Sequence, residues 1–495
     1  MLQGWVVIPI SLAYLGLLFL VAWFGDRNHQ QWQKFRPWIY SLSIAVYCTS
    51  WTFYGTVGQA AENMWSFIPI YLAPILVYTL GWPIISRLIQ ISKREHITSI
   101  ADFIASRYGK SQGLAVTVTL IAVVGVLPYI GLQLRAVTMG IDLVAPNLMQ
   151  DLGYQDTQVS AFVTAVLAIF TMLFGTRHID NTEHHRGMMV AVAFESLIKL
   201  FAFLVVGSFV AVQIFLSPQL NITELAQSHY QSPNYATLAI HMLLTSAAVL
   251  CLPRQFHTSI VENQNLRDLN VARWVFPGYL LLMALFVLPI AWVGNTLLSG
   301  SVPDTFVVQV PLAFDAQSMA LLAILGGTSA ASAMVIVSTI ALTIMVSNDL
   351  VWPLLLRRLK LSDKRHQHIS GILLNVRRSL IGLLLFGAWG VYQLLDGIPL
   401  LSAIGLLSFA AIAQFLPAII GGLFWRRGNR KGVYAGLCVG CLIWLITLMS
   451  HTQMLAGTAQ TNVLLWLIEP PAWVKSLDVS RSDWGMALSG LVNML

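Results

Sequence analysis

Long apolar segments recur along the whole chain, and they restrict what it can fold into. Twelve segments are apolar enough and long enough to cross a bilayer as helices, which takes about 20 residues each. A backbone in lipid must satisfy its own polar groups, and the alternating pattern of barrel strands is absent. The sequence therefore predicts an all-α membrane protein. Its expected spans are 5–24, 37–57, 64–90, 112–145, 158–176, 187–216, 234–256, 271–296, 318–352, 375–396, 400–425 and 432–450.

The charged residues give these spans an orientation. Of the 28 lysines and arginines, 24 lie in or beside the loops that follow the first, third, fifth, seventh, ninth and eleventh spans. Loops on the cytoplasmic side carry such an excess, so the pattern predicts an N-terminus outside the cell. The net charge of +7 is then a property of topology. It indicates a lipid bilayer around the chain and no nucleic acid partner.

Two of the spans carry polar groups that lipid cannot satisfy. The stretch Ser41–Gly58 is apolar, yet hydroxyl and thiol side chains crowd its middle. A second stretch, 234–257, contains His241 and Thr245 and is interrupted by Pro253 and Arg254. Paired, interrupted segments of this kind are typical of the binding site of a transporter. The alternative is a pair of packed helices joined by Ser and Thr hydrogen bonds.

Several motifs follow one another in an order that resembles a known family. They are TSIADF at 98–103 with RY at 107–108, LPY at 127–129 with Gln133, FGTR at 174–177, FES at 194–196 with Lys199, LPRQFH at 252–257, WVFPGY at 274–279, and the small-residue run 326–347 followed by Asn348 and Asp349. With this set the chain resembles the sodium/solute symporter family. Within it, the chain is most similar to the symporter-like membrane domain of CbrA-type sensor histidine kinases.

The resemblance implies a LeuT-like fold with two five-helix inverted repeats plus flanking helices, about 12–13 transmembrane helices in all. The repeats would be 37–216 and 217–425, after an extra N-terminal helix and loop at 1–36. The C-terminal helices would occupy 426–495, and the last, too short to span, suggests a truncated chain. The first and sixth core helices, at 37–57 and 234–256, would be unwound at mid-membrane.

The same resemblance implies a function in a bacterial inner membrane. The chain would bind and transport a small solute, an amino acid with histidine favoured, as the sensory input part of a histidine kinase. Its partners would be a cytoplasmic kinase region and a response regulator. A self-standing sodium- or proton-coupled permease and an inactive remnant remain as alternatives. No kinase motif and no catalytic residue is found, so the chain is not expected to be an enzyme.

Candidate solute-binding residues lie on the helices that line this family's site, and they combine aromatic, amide and hydroxyl groups. They are Tyr47, Cys48, Trp51, Tyr129, Gln133, His241, Thr245 and Gln414. Packing between helices is the competing interpretation for each of them taken singly.

The region of the coupling ion is expected between the first and eighth core helices, at Ala45, Cys48, Ser329, Ser332, Ala333 and Met334. The family's hydroxyl pair for sodium maps onto Ala333 and Met334, which carry no side-chain oxygen. Sodium coupling therefore lacks its expected ligands, and protons are the other possible coupling ion. No further cofactor is expected.

Two ionisable residues lie inside one span. Glu195 and Lys199 are four residues apart, so on a helix they share a face and are expected to form a buried charge pair. The loop 178–185 (HIDNTEHH) has irregular spacing and favours a connector over a metal site.

Overall fold

A computed structural model of the protein describes residues 4–27, 32–144, 156–175, 186–217, 220, 232–358, 366–394, 401–425, 427–451 and 465–494. The loop 178–185 lies outside these residues. The α-helices are α1 (Gly4–Arg27), α2 (Arg36–Ile44), α3 (Thr56–Glu62), α4 (Ile68–Thr79), α5 (Trp82–Arg94), α6 (Ile100–Arg107), α7 (Gln112–Val144), α8 (Asp156–Gly175), α9 (Arg186–Leu216), α10 (Tyr235–Cys251), α11 (Pro253–Phe256), α12 (Leu266–Ala284), α13 (Val287–Leu297), α14 (Phe306–Ala313), α15 (Gln317–Val346), α16 (Trp352–Arg358), α17 (His366–Leu394), α18 (Leu401–Ala413), α19 (Leu416–Phe424), α20 (Arg430–His451), α21 (Ala472–Lys475) and α22 (Arg481–Met494).

Each of the twelve predicted spans corresponds to a helix or to a helix interrupted by a break. Within the described residues, eight helices are long and apolar enough to cross a membrane, and ten if each of two bent pairs counts as one span. Those pairs are α4 with α5, bent by 66°, and α10 with the segment 253–261, bent by 51°. The other two predicted spans are the shorter apolar helix α8 and the first core segment, which is broken between α2 and α3.

Several short helices, among them α6, α14 and α21, were not predicted, because they are too short to cross a membrane. One of them, α6, begins with a reciprocal cap. The Ser99 hydroxyl accepts a hydrogen bond from the Asp102 backbone N–H at 3.1 Å, and the Asp102 carboxylate accepts one from the Thr98 N–H at 3.1 Å. Such a capping box satisfies two N–H groups that a helix start leaves free. The TSIAD motif therefore has a local structural role.

The helices pack in two groups. In the first group, α2 packs against α12, α4 packs against α10 and α12, and both broken segments belong to this group. In the second, α7 packs against α15 and α17, and α8 packs against α17. The long helix α9 connects the groups, since it contacts α2 on one side and α15 on the other. The division into two inverted repeats remains a prediction.

Helix α15 is the most enclosed of the long helices. In the span 317–355, 94% of the most apolar window is buried inside the protein, against 39% for the span of α9. Small residues permit this close approach, because an added methyl group at Gly326 would lie 2.6 Å from the side chains of both Ala202 and Phe53. The small-residue run of the sequence therefore lies at the centre of the helix bundle.

The segment 481–494 forms a regular helix, α22. It packs mainly against α20 and also contacts α18 and α10. This C-terminal helix is therefore in contact with two of the helices expected to line the solute site.

Candidate functional site

The first core segment is broken at Cys48 and Thr49. A single 3-10 turn, Ala45–Tyr47, ends α2, and Cys48 then takes an extended conformation (ψ 107°). The hydroxyl of Thr49 accepts a hydrogen bond from the N–H of Trp51 at 3.2 Å, and Thr52 donates its hydroxyl to the Thr49 carbonyl at 2.8 Å. Side-chain hydroxyls thus replace helix hydrogen bonds, which is why a run of such residues can interrupt a helix.

The second break lies between α10 and α11. Leu252 leaves the helical conformation (φ −60°, ψ 128°), and Pro253 begins the next segment. A proline disfavours the helical conformation at the residue before it, and its fixed φ suits the first position of a helix. The sequence Leu-Pro therefore accounts for the break directly.

Two predicted residues on α7 contact the first break. Gln133 accepts hydrogen bonds from the backbone N–H of Ser50 at 3.1 Å and from the Ser50 hydroxyl at 2.7 Å. The hydroxyl of Tyr129, one turn earlier, shares a hydrogen bond of 3.2 Å with the hydroxyl of Thr49. The ring of Trp51 lies 6.1 Å from that of Tyr129, edge to face. The structure therefore brings together Trp51, Tyr129 and Gln133.

The second break contributes Arg254, which the sequence analysis named as an interruption of the stretch 234–257 and did not include among the candidate solute contacts. Arg254 is 1% exposed, and its guanidinium lies over the ring of Tyr129, 4.6 Å from the centroid. Its Nη2 donates to the Tyr129 hydroxyl at 3.3 Å, while its Nε and Nη1 find no hydrogen-bond partner in the protein. The available signal was its position beside Pro253, inside an apolar span.

The expected ion region contains the side chain of Lys199. Its ammonium donates to the carbonyl oxygens of Ala45 at 2.8 Å and of Cys48 at 2.6 Å. These carbonyls end the first half of the broken helix, where the helix dipole favours a cation. Ala333 and Met334 are buried, and neither supplies a side-chain oxygen. The ammonium of Lys199 thus lies in the region where the resemblance implies a coupling ion.

Glu195 and Lys199 are both buried, as predicted, but their side chains take separate partners. The Glu195 carboxylate accepts a hydrogen bond from the Ser332 hydroxyl at 2.7 Å, and the Glu195 carbonyl accepts one from the Ser329 hydroxyl at 3.0 Å. These separate hydrogen bonds take the place of the direct ion pair expected from the four-residue spacing. The backbone carbonyls at the first break compete for the ammonium, and the hydroxyls of α15 compete for the carboxylate.

Other predicted solute contacts face elsewhere. His241 forms a hydrogen bond of 2.9 Å with Asp483 of α22. Gln414 donates to the Ser489 hydroxyl at 2.9 Å, and its side-chain oxygen accepts from Asn493 at 3.0 Å. Both residues therefore fix the C-terminal helix and do not join the group around Tyr129. The sequence analysis missed this because it treated the end of the chain as an incomplete span.

The remaining candidates are buried on the two broken segments. Tyr47 donates its hydroxyl to the carbonyl of Ile70 at 2.8 Å, and its ring packs 6.0 Å from that of Phe276. Cys48 offers its carbonyl to Lys199, and Thr245 is buried on α10. In this arrangement Tyr47 serves mainly to join α2 to α4 and α12.

No family model matches the sequence, and no curated protein matches it. Among solved structures, the chain is similar to a Na+-coupled sialic acid symporter in a substrate-bound, outward-open state. The TM-score is 0.65 and the identity 14%, over 99% of this chain and 96% of that chain. A manganese transporter of Eremococcus coleocola is matched with a TM-score of 0.46 and 12% identity, over 92% of this chain and 85% of that chain. The likeness to the symporter shows that this chain has the LeuT-like transporter fold, which confirms the predicted fold class.

Proposed function

We propose that this chain is a symporter-like domain that binds a small solute between its two broken helices and moves it across the membrane. One observation carries the proposal. The hydroxyl of Tyr129 contacts Thr49 at the first break and Arg254 at the second. Broken helices expose backbone and side-chain polar groups at mid-membrane, where a polar solute needs partners that lipid cannot offer. A single tyrosine joins the two places where such groups are exposed.

Sodium does not fit the residues present in the ion region. The carbonyls of Ala45 and Cys48 already accept hydrogen bonds from Lys199, and the expected hydroxyl positions are Ala333 and Met334. A hard cation prefers oxygen ligands. Here the side-chain oxygens are absent at residues 333 and 334, and the backbone oxygens at residues 45 and 48 are already bonded to Lys199. Transport is therefore proposed to be independent of sodium, with protons as the coupling ion or with no coupling ion.

The class of solute follows from the sequence resemblance, which favours an amino acid and histidine first. The group around Tyr129 suits such a solute. Trp51 and Tyr129 supply aromatic rings beside the break, and the amide of Gln133 holds Ser50 next to them. Removing a hydrogen-bonding partner from a buried polar ligand costs about 1–3 kcal/mol.

The resemblance also favours a sensory role in a bacterial inner membrane, with the N-terminus outside. In this role solute binding would regulate a cytoplasmic kinase region and, through it, a response regulator. A self-standing permease would share the same site. A sensory domain and a permease can be told apart in cells. At a fixed rate of uptake, histidine should change the phosphorylation of the kinase only if the chain is a sensory domain.

Uptake by the purified chain in proteoliposomes tests the proposal. We expect accumulation of labelled histidine, or of another member of a panel of amino acids, with the same initial rate when choline replaces sodium at fixed pH. Loss of most of the uptake in choline would show that the ion region is completed by hydroxyls such as Ser329 and Ser332. Absence of binding and uptake for the whole panel would contradict the proposed function.

A further inference from the structure

The arginine at the second break has an unusual environment for a buried cation. Arg254 is 1% exposed, and Nη2 is the only one of its three nitrogens with a hydrogen-bond partner in the protein. Buried polar groups are nearly always hydrogen-bonded, and a buried charge without a counter-ion is strongly unfavourable. The contact with the Tyr129 ring offsets only a part of this cost.

Carboxylates on the neighbouring helices do not neutralise Arg254. Glu195 accepts from Ser332, Glu262 lies 3.2 Å from the imidazole of His257, and Asp268 is paired with Arg36 at 2.9 Å. In the described part of the chain, no carboxylate forms an ion pair with Arg254. The other cation of this region, Lys199, bonds to the carbonyls of Ala45 and Cys48 and has Glu195 on its own helix. An anion is therefore the partner that Arg254 lacks.

The geometry of the guanidinium favours a planar anion. A guanidinium has two edges that can each donate two parallel hydrogen bonds, and each edge uses one N–H of Nη2. The Tyr129 hydroxyl takes one N–H of Nη2, so one complete edge stays available, with either Nε or Nη1 as its second donor. A carboxylate matches such an edge with two oxygens.

We propose that Arg254 binds the carboxylate of the transported solute, so that the substrate class is a small carboxylate-bearing molecule. The inference rests on the proposed function and adds the residue and the chemical group recognised. The bound carboxylate lies between the broken helices, where Tyr129 already bonds to Thr49. A carboxylate bound to Arg254 is therefore linked to Thr49, at the first break, through the hydroxyl of Tyr129.

The experiment compares acids with their amides. Purified full-length chain in lipid nanodiscs is titrated with histidine, histidinamide, other amino acids, acetate, inorganic phosphate and glucose, and Kd is measured for each. We expect a carboxylate compound to bind and its amide to bind much more weakly. Replacing Arg254→Gln removes a partner of a buried charge pair, which costs about 2–5 kcal/mol, or roughly a 30- to 4000-fold loss of affinity.

The ratio of acid to amide affinity separates recognition from a structural role. In Arg254→Gln this ratio should fall towards one. In Arg254→Lys, which keeps the charge but loses the planar fork, it should fall only in part. The matched control is Arg94→Gln, at an arginine whose side chain is 85% exposed, and it should leave both affinities unchanged.

Three results would overturn the inference. Wild-type protein could bind acid and amide equally, a folded Arg254→Gln variant could keep the wild-type ratio, or phosphate could bind in an Arg254-dependent way where no carboxylate does. The comparison of acid with amide on the wild-type protein needs no variant, so it still tests the inference if Arg254→Gln does not fold. Uptake of a neutral solute alone would overturn the role of Arg254 and leave the transporter proposal standing. Failure of every compound to bind would overturn both.

Discussion

The ammonium nitrogen of Lys199, on α9, lies 2.6 Å from the carbonyl oxygen of Cys48. This contact ties the middle of α9 to the first break. The Ala45 carbonyl also accepts from the Cys48 N–H at 3.0 Å, so the lysine adds a second hydrogen bond there and bonds the Cys48 carbonyl as well.

Replacing Lys199→Met should therefore remove two hydrogen bonds from buried carbonyls. The Ala45 carbonyl would keep the Cys48 N–H, but a buried group that loses its partner costs about 1–3 kcal/mol, so we expect a clear drop in the unfolding temperature and roughly a tenfold loss of solute binding. Thermal unfolding and ligand titration in nanodiscs measure the two effects. Lys475→Met, at an exposed lysine, is the control. Unchanged binding in a stable Lys199→Met protein would contradict a role of this lysine in holding the break.

Replacing Tyr129→Phe keeps the aromatic ring and removes the hydroxyl that joins Thr49 and Arg254. We expect a loss of roughly tenfold in solute affinity, equivalent to about 1–2 kcal/mol. Tyr108→Phe is a matched control, because its hydroxyl also donates a buried hydrogen bond, to Ala418 at 3.0 Å. Equal losses of affinity in both variants would indicate a general effect on stability and not a site.

His241→Ala should weaken the attachment of α22 and leave solute binding unchanged. The hydrogen bond between His241 and Asp483 is largely buried, so its loss should cost about 1–2 kcal/mol of stability. Asp483→Asn should give a similar decrease in unfolding temperature. A change in solute affinity of more than fivefold in either variant would return His241 to the solute site.

Stability should also depend on one buried carboxyl group between two spans. Burial raises the pKa of Asp304 to about 6, an effect that is opposed by the hydrogen bond from the Leu401 N–H at 2.8 Å and by the charge of Arg135. The folded state therefore prefers the protonated form, which is fully present below about pH 4. Stability should fall by about 2–3 kcal/mol as the pH rises from about 4 through 6.

The measurement is the unfolding temperature across this pH range. Asp304→Asn should flatten the decrease, because an amide does not titrate and its oxygen can still accept from Leu401. Asp478→Asn, at an exposed position, should leave the pH dependence as it is. A wild-type protein whose stability rises between pH 4 and 6 would contradict the assignment to Asp304.

Orientation in the membrane follows from the distribution of basic residues and is open to a direct test. Reporter fusions after Asn221 should report the outside of the cell, and fusions after Lys364 should report the cytoplasm. A cytoplasmic reporter signal at Asn221 would contradict both the orientation and the assignment of two inverted repeats.

Much of the architecture was predictable because the bilayer imposes a length and a polarity on each span. The breaks were also visible, one as a crowd of hydroxyls after Ser41 and the other as Pro253. Tyr129 and Gln133 were named because they lie on a helix that lines the site of the family the chain resembles, and their four-residue spacing puts them on one face. These features depend on local sequence.

The misassigned residues depend on contacts between distant segments. Glu195 and Lys199 have the spacing of an ion pair, but the Lys199 ammonium bonds instead to the buried carbonyls of residues 45 and 48. Arg254 was noted as an interruption of its span and not as a site residue, since composition alone does not show on which side of Pro253 the protein interior begins. His241 found its partner 242 residues away along the chain.

The docking of α22 has a mechanical consequence. Asp483 fastens one end of this helix to α10, and Asn493 fastens the other end to Gln414, just after α18. A helix that is hydrogen-bonded at both ends to two different helices must tilt when the angle between those helices changes. A change in the angle between α10 and α18 would therefore change the tilt of residues 481–494.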